Sequence, residues 1–137
     1  MRTFVYRHLV ALDETNAVGN VYFAHFLHWQ GHARERFLAE HAPGVLARLL
    51  AGEIAMVTVS CEMAYYAECF GFDDIEVRMT LEARSGHRMT MHFDFVRGGE
   101  QVARGRQTVA CMRRSADGLA PLPLPAELRD ALVPFTG

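Results

Sequence analysis

Residues 21–41, VYFAHFLHWQGHARERFLAEH, decide how this chain folds. The spacing of three and four residues between positions on one side predicts a single long helix over 21–41; these positions are Phe23, Phe26, Leu27, Gln30, Ala33, Arg34, Phe37 and Leu38. The apolar arc is wide, which indicates a helix surrounded by the rest of the protein. Pro43 and Gly44 predict its end, and a short second helix is expected over 45–51.

The rest of the chain predicts strands. Residues 75–84 alternate between apolar and polar side chains, as in a half-buried strand. Further strands are expected over 3–10, 54–66, 89–95 and 101–113, with tight turns at Ser85-Gly86-His87 and Arg97-Gly98-Gly99-Glu100. One long helix followed by an antiparallel meander predicts an α+β fold, in which a curved sheet wraps the helix. Such a sheet exposes an edge strand, which favours a dimer.

Composition narrows the class of protein. The 137 residues, half of them apolar, fit one domain over 1–137 with a substantial core. The net charge of −2 gives no support for nucleic-acid binding, and no segment predicts a membrane helix or a signal peptide. Three cysteines without a CxxC motif indicate free thiols in a reducing compartment, so we expect a cytoplasmic protein. Residues 117–137 hold four of the five prolines and are interpreted as a tail.

The polar loop before the helix is the first candidate site. Asn20 is a plausible helix N-cap. Unpaired backbone N–H groups at Gly19, Asn20 and Val21, together with the helix dipole, can polarise a carbonyl or hold an oxyanion. In the same loop, Asn16 can bind substrate or water, and Glu14 can act as a base or a nucleophile. An ordinary helix cap and loop-stabilising side chains remain the alternative.

The second candidate is Arg34, which shares a helix face with Gln30 and Phe37. A guanidinium on an apolar stripe is costly unless it is paired. One interpretation is a structural ion pair or a side chain that extends to solvent at the margin of the core. The other is a buried donor that binds a carbonyl, a carboxylate or a neighbouring loop.

Other chemistries find little support. His25, His28 and His32 have a spacing that can ligate zinc. However, there is no HExxH, and no carboxylate or cysteine completes a set, so we expect solvated histidines and no metal. The absence of GxSxG leaves an α/β-hydrolase unsupported.

The joined segment DETNAVGNVYF (13–23) and AHFLHWQGHARERF (24–37) carries a resemblance to a known family. It resembles the 4-hydroxybenzoyl-CoA thioesterase branch of the hotdog proteins, and in particular the thioesterases of enediyne polyketide biosynthesis, of the calicheamicin and dynemicin kind. Matching residues are closely spaced over residues 9–38, and the predicted order of strands is consistent with the family to about residue 114.

The resemblance implies a single hotdog domain that releases a linear polyene β-ketoacyl chain from the acyl carrier protein domain of an iterative polyketide synthase. The product is a β-keto acid, which can lose carbon dioxide to give a methyl ketone or a polyene. It also implies a homo-oligomer, a dimer of dimers with sites at subunit interfaces, and no cofactor or metal.

The resemblance also implies roles for single residues. The wider family often has Asp where this chain has Glu14 and Asn16, whereas the enediyne subgroup shares the Asn and works without an essential acid. Asn16 and Arg34 are therefore the expected catalytic residues. Asn16 binds the thioester carbonyl or positions water, and Arg34 braces the loop, or binds the β-keto oxygen and stabilises developing negative charge. The amides of Gly19, Asn20 and Val21 complete the oxyanion site, Thr58 is a weaker candidate, and Glu14 remains a possible acid or base.

Apolar side chains near the helix start are expected to hold the acyl chain. Phe23, Phe26 and Leu27 form the predicted pocket, although Phe26 stands where some relatives have Tyr. Met56, Met63, Met89 and Met91 are candidates for an adaptable tunnel wall, with ordinary core packing as the alternative. Two other functions stay open: a general acyl-CoA thioesterase that depends on Glu14, and a non-catalytic hotdog protein that binds a polyene or acyl chain.

Overall fold

The long helix is present, but it begins three residues later than the spacing predicts. A computed structural model describes residues 1–137. Its elements are β1 (Phe4–Leu9), a 3₁₀ turn (Leu12–Glu14), α1 (Ala24–His41), α2 (Pro43–Leu50), β2 (Ile54–Tyr65), β3 (Asp74–Ser85), β4 (Arg88–Arg97), β5 (Glu100–Ser115), β6 (Gly118–Pro121), α3 (Ala126–Leu132) and a second 3₁₀ turn (Val133–Phe135). Pro43 both ends α1 and opens α2, because proline is tolerated in the first turn of a helix.

The strands form one antiparallel sheet in the order β1-β3-β4-β5-β2, with β6 paired to the end of β5. β-bulges interrupt the register between Thr58 and Ser60, between Leu81 and Ala83, and between Phe95 and Val96. Bulges bend strands and increase twist, so this sheet can curve around a helix. The arrangement agrees with the predicted α+β hotdog layout.

The core lies between α1 and the concave face of the sheet. Trp29 and Ala33 are fully buried on the helix, and Phe93 and Phe95 are fully buried on β4. Phe26 of α1 meets Phe95 edge-on, with ring centroids 5.6 Å apart, an arrangement that aromatic rings favour. The central helix thereby packs against β4.

The C-terminal residues are not a tail, contrary to the interpretation of 117–137. They add the strand β6, the helix α3 and a 3₁₀ turn. Four apolar side chains of this segment are buried in the core: Leu124, Leu128, Leu132 and Phe135. The prolines interrupt regular structure between these elements, but the segment as a whole completes the core.

β2 is an edge strand of twelve residues, and only β5 pairs with it. Its outer edge leaves backbone N–H and C=O groups without strand partners, and Val57, Val59 and Tyr65 are exposed along it. Long exposed apolar edges are normally covered by another element or chain. None of the three α-helices is long and apolar enough to cross a membrane.

Candidate active site

The loop before α1 is closed by its own backbone. The Asn16 N–H donates to the Asn20 carbonyl at 2.7 Å, and the Tyr22 N–H donates to the Glu14 carbonyl at 3.0 Å. Between them Gly19 has a φ of +95°, a conformation that glycine adopts without steric cost. The loop is therefore a tight, hydrogen-bonded turn that presents the Asn16 side chain outward.

Glu14 fastens this loop to β1 and α1. One carboxylate oxygen accepts hydrogen bonds from the Ala11 N–H and from His8 Nε2, each at 2.8 Å, and the other accepts one from Trp29 Nε1 at 2.6 Å. Burial by itself raises the pKa of Glu14, but the hydrogen bonds from Ala11, Trp29 and His8 outweigh it and lower the pKa below its usual value. The carboxylate is ionised and held by three donors, as expected of an anchor.

Asn16 belongs to a short chain of polar side chains. Its Nδ2 donates to Asn20 Oδ1 at 3.2 Å, and Asn20 Nδ2 donates to Glu68 Oε1 at 3.1 Å. Asn16 is exposed, so its carboxamide is accessible to a ligand at the surface of the loop.

The helix N-cap is Phe23 and not Asn20, whose side chain bonds to Glu68 instead. The prediction of unpaired amides is wrong for two of its three positions. The Gly19 N–H donates to the Asn16 carbonyl at 2.9 Å, and the Val21 N–H donates to the Cys69 carbonyl at 2.7 Å. The N–H groups of Asn20, Phe23 and Ala24 have no hydrogen-bond partner in the protein. The amides of Phe23 and Ala24, which sequence reasoning missed, lie at the true start of α1.

A cavity of about 320 Å³ opens beside these amides. It brings together four residues predicted for the oxyanion site and the acyl pocket: Asn20, Val21, Phe23 and Phe26. Sequence reasoning missed its opposite wall, formed by Tyr65, Tyr66, Ala67, Glu68 and Cys69. The Tyr65 hydroxyl donates to the Phe23 carbonyl at 2.9 Å, so the end of β2 is tied to the start of α1.

The other predicted acyl-chain residues lie in three different places. Leu27 is partly exposed and lies outside the cavity. Met89 and Met91 belong to the buried core, as their alternative interpretation requires. Met56 and Met63 are partly buried on β2 and pack against that core.

Arg34 lies in a second polar group, between α1 and β2. Its Nη1 is buried and has no hydrogen-bond partner, and no carboxylate of the same chain forms an ion pair with it, so a single protomer does not supply the structural ion pair of the first interpretation. Loss of solvation lowers the pKa of Arg34, while Glu35 and Cys61 act in the opposite direction. Arg34 therefore presents a cation with an unused donor.

Three more polar side chains form a hydrogen-bonded chain that begins at Gln30, one turn before Arg34 on α1, and two of them were not predicted. Gln30 is only 1% exposed and Gln107 only 7%. Gln30 Nε2 donates to Gln107 Oε1 at 3.1 Å, and Gln107 Nε2 donates to Thr58 Oγ1 at 2.9 Å. We call Gln30, Gln107 and Thr58 the amide chain. No hydrogen bond joins it, or Arg34, to Asn16, so the two predicted catalytic residues stand in separate groups within one protomer.

The three helix histidines do not form a metal site. His32 Nδ1 lies 3.3 Å from the Tyr6 hydroxyl, and the rings of His25 and His28 are 5.7 Å apart. No group of three or more His, Cys, Asp or Glu side chains has a geometry that could hold a metal ion.

Known proteins resemble this chain over nearly its whole length. The profile of the thioesterase-like superfamily matches residues 10–132. The crystal structure of the dynemicin thioesterase, in a study of polyene binding, superposes with a TM-score of 0.95 at 56% identity and covers 99% of both chains. The 1,4-dihydroxy-2-naphthoyl-CoA hydrolase of Synechocystis sp. is 27% identical over 127 residues, which are 91% of this chain and 92% of that protein. A 4-hydroxybenzoyl-CoA thioesterase, 14% identical, shares the fold with a TM-score of 0.85 over 96% and 99% of the two chains.

These matches confirm the hotdog fold and the resemblance to the enediyne-type thioesterases. Two of the matched proteins are named as a thioesterase and a CoA hydrolase, and the site of this chain offers unused backbone and guanidinium donors that suit such a reaction. The chain therefore belongs to the thioesterase-like superfamily, in the same family as the dynemicin thioesterase, and it is a thioester hydrolase.

Proposed function

We propose that the substrate is a linear polyene β-ketoacyl thioester carried on the acyl carrier protein domain of an iterative enediyne polyketide synthase. Water adds to the thioester carbonyl, the carbon–sulfur bond breaks, and the thiol leaves with a proton. The product is a β-keto acid, which can lose carbon dioxide to give a methyl ketone or a polyene.

The observation that carries this proposal is the buried Nη1 of Arg34, which has no partner in the protein. A buried donor of this kind costs free energy unless a ligand accepts its hydrogen bond. A β-ketoacyl thioester has two carbonyl oxygens: the oxygen of the thioester itself and that of the β-keto group, which lies two carbons further along the acyl chain. Arg34 would bind the β-keto oxygen, which distinguishes this substrate from a simple acyl chain, and its charge would stabilise the negative charge that develops on the neighbouring thioester carbonyl.

Asn16 and the free amides would act on the scissile carbonyl. The exposed carboxamide of Asn16 can donate to the carbonyl or position the attacking water. The unpaired N–H groups of Asn20, Phe23 and Ala24 would stabilise the oxyanion, since donors that are already in place need no reorganisation when charge develops. Because Glu14 is occupied by three donors, we assign it the role of loop anchor and not of base.

The neighbouring cavity would receive the acyl chain or the pantetheine arm. Its apolar residues Phe23, Phe26 and Tyr65 offer flat surfaces on which a conjugated chain can stack. None of the three cysteines forms a disulfide. Free thiols fit a reducing compartment, and we place the reaction in the cytoplasm.

Co-expression with an enediyne-type polyketide synthase tests the substrate. We expect a conjugated polyene product, seen by chromatography, that is absent with the Asn16→Ala variant. Loss of a general base costs about 10²- to 10⁴-fold in rate. Because Glu14 is assigned as a loop anchor and not as the base, the activity of Glu14→Gln is expected to stay within about tenfold of the unmodified protein.

The alternative is a general acyl-CoA thioesterase, which the similarity to the Synechocystis CoA-thioester hydrolase favours. It predicts rapid hydrolysis of simple acyl-CoA, no change in the synthase products, and a Glu14→Gln variant without activity. That combination of results would replace the carrier-protein proposal.

A second copy of this chain would cover the outer edge of β2, where strand pairing can satisfy the unpaired backbone groups. Such a dimer would bring the Asn16 loop of one protomer closer to residues of its partner, and two dimers would form the expected tetramer. Light scattering should give a mass at least twice the 15.4 kDa of one chain.

A charge on this edge is expected to break the assembly. Val59→Lys, in the β2 bulge, should reduce the mass toward that of a monomer, because a desolvated lysine opposes strand pairing. The matched control is Val133→Lys, at an exposed C-terminal position away from β2. A dimer that survives Val59→Lys unchanged would place the interface elsewhere.

A further inference from the structure

The hydrogen bonds of the amide chain are all donated in one direction, from α1 toward the edge strand β2, and this order has no evident structural purpose. Gln30 donates to Gln107, and Gln107 donates to the Thr58 hydroxyl oxygen. Thr58 makes no other side-chain hydrogen bond in the protein, and it lies exposed on the β2 edge next to the bulge. Because its oxygen already accepts a hydrogen bond, the hydroxyl proton is directed away from Gln107 and has no acceptor in the protein.

Both ends of the Gln30 carboxamide are enclosed by neighbouring residues. Its Nε2 contacts Cys61 Sγ at 3.6 Å in addition to Gln107 Oε1. Its Oε1 is buried without a partner and lies against Gly105 of β5, where a Cβ atom would collide with it. A carboxamide exchanges its donor and acceptor ends by turning over, and turning Gln30 alone would set two oxygens against each other at Gln107. In the structure both Nε2 groups donate toward Thr58, which is the direction that leaves the Thr58 hydroxyl proton free.

Burying the two glutamine carboxamides costs desolvation free energy, and their hydrogen bonds orient a single exposed hydroxyl. Buried polar groups are commonly retained in cores only when they are hydrogen-bonded, and here one oxygen remains unsatisfied. Arg34 adds a second unused donor one turn after Gln30 on the same face of α1. The two unused donors, from Thr58 and Arg34, suit an acceptor-rich ligand such as a β-ketoacyl thioester.

We propose that Gln107, held by Gln30, fixes the Thr58 hydroxyl as a hydrogen-bond donor toward an oxygen of the acyl substrate. Gln30 and Gln107 are then positioning residues, and Thr58 is the residue that touches the substrate. The inference rests on the proposed function, because it takes the substrate to be a carbonyl-rich thioester.

A double-mutant cycle tests this dependence. Hydrolysis of a β-ketoacyl N-acetylcysteamine thioester is followed by release of the thiol for Thr58→Val, Gln107→Leu and the double variant. We expect each single change to lower kcat/KM by about three- to tenfold, the range for one neutral hydrogen bond. The double variant should be no slower than Thr58→Val alone, because Gln107 acts only through Thr58.

Conservative substitutions distinguish an effect of hydrogen-bond direction from an effect of side-chain packing. Thr58→Ser keeps the hydroxyl and should retain activity. Gln107→Glu presents only acceptors, so the Thr58 proton would turn toward it, and the loss should equal that of Thr58→Val. The matched control is Thr108→Val, one residue away on the outer face of β5, where the hydroxyl bonds only to Thr90 at 2.7 Å; its activity should not change.

Losses that multiply in the double variant, or a fully active Thr58→Val, would overturn the inference. If the unmodified protein hydrolyses no thioester, the proposed function itself is wrong. Calorimetric binding of a 2-oxoalkyl thioether, which keeps the carbonyl but cannot be hydrolysed, then decides the role of the amide chain. Equal weakening by Thr58→Val and Gln107→Leu supports it, and unchanged affinity contradicts it.

Discussion

Arg34→Met is expected to lower kcat by about 10²- to 10³-fold, the cost of removing one donor that stabilises developing negative charge. Methionine keeps the apolar stem and removes the guanidinium. Because Nη1 has no partner in the free protein, the change breaks no ion pair, and it removes a desolvated cation. The free energy of unfolding should therefore stay the same or rise while activity is lost.

Arg36→Met is the matched control, since Arg36 is exposed on the same helix and lies outside both polar groups. Rates of thiol release and urea unfolding are measured on both variants. An Arg34→Met protein with normal turnover would remove Arg34 from the site. A large loss of stability would show that the guanidinium has a structural partner in the assembled protein.

Phe135→Ala is expected to reduce the free energy of unfolding by about 3–5 kcal/mol, as for other large aromatic side chains removed from a core. Phe135 is only 1% exposed. Its ring meets Phe37 edge-on at 5.3 Å and Phe4 at 6.4 Å, and the Arg2 guanidinium lies 4.9 Å from its ring centroid. Removal therefore leaves a cavity where the C-terminal segment joins β1 and α1.

Val133→Ala, two residues away and exposed, controls for the loss of an apolar side chain in the same 3₁₀ turn. Thermal or urea unfolding of both variants gives the difference in stability. If Phe135→Ala unfolds like Val133→Ala, the C-terminal segment does not contribute to the core.

Local patterns were sufficient for most of the fold. The helix, the strands and their turns follow from spacing that each segment carries within itself. The start of α1 was misplaced because Asn20 is held by Glu68, 48 residues away, and no local pattern shows such a contact. The C-terminal segment did carry a signal: Leu124, Leu128, Leu132 and Phe135 recur at helical spacing, but the surrounding prolines led to the opposite interpretation.

Fewer of the site residues could be predicted from the sequence. The unusual position of Arg34 on an apolar face could be read directly, and the structure shows that it has no ion-pair partner. Gln107 gave no such signal, because its importance depends on Gln30, which lies 77 residues earlier. The occupied amide of Val21 was also unpredictable, since its partner is Cys69 of a distant loop, whereas the amide of Gly19 bonds to Asn16 within its own loop.

The anchoring of the loop that carries Asn16 has a practical consequence. Trp29 is the only tryptophan, and its indole N–H donates to Glu14 in the loop that carries Asn16. The chain thus contains a natural fluorophore that is hydrogen-bonded to the loop, and this loop must move if substrate changes its conformation. Its emission should report loop opening without any attached label, so that binding and turnover can be followed in one stopped-flow record.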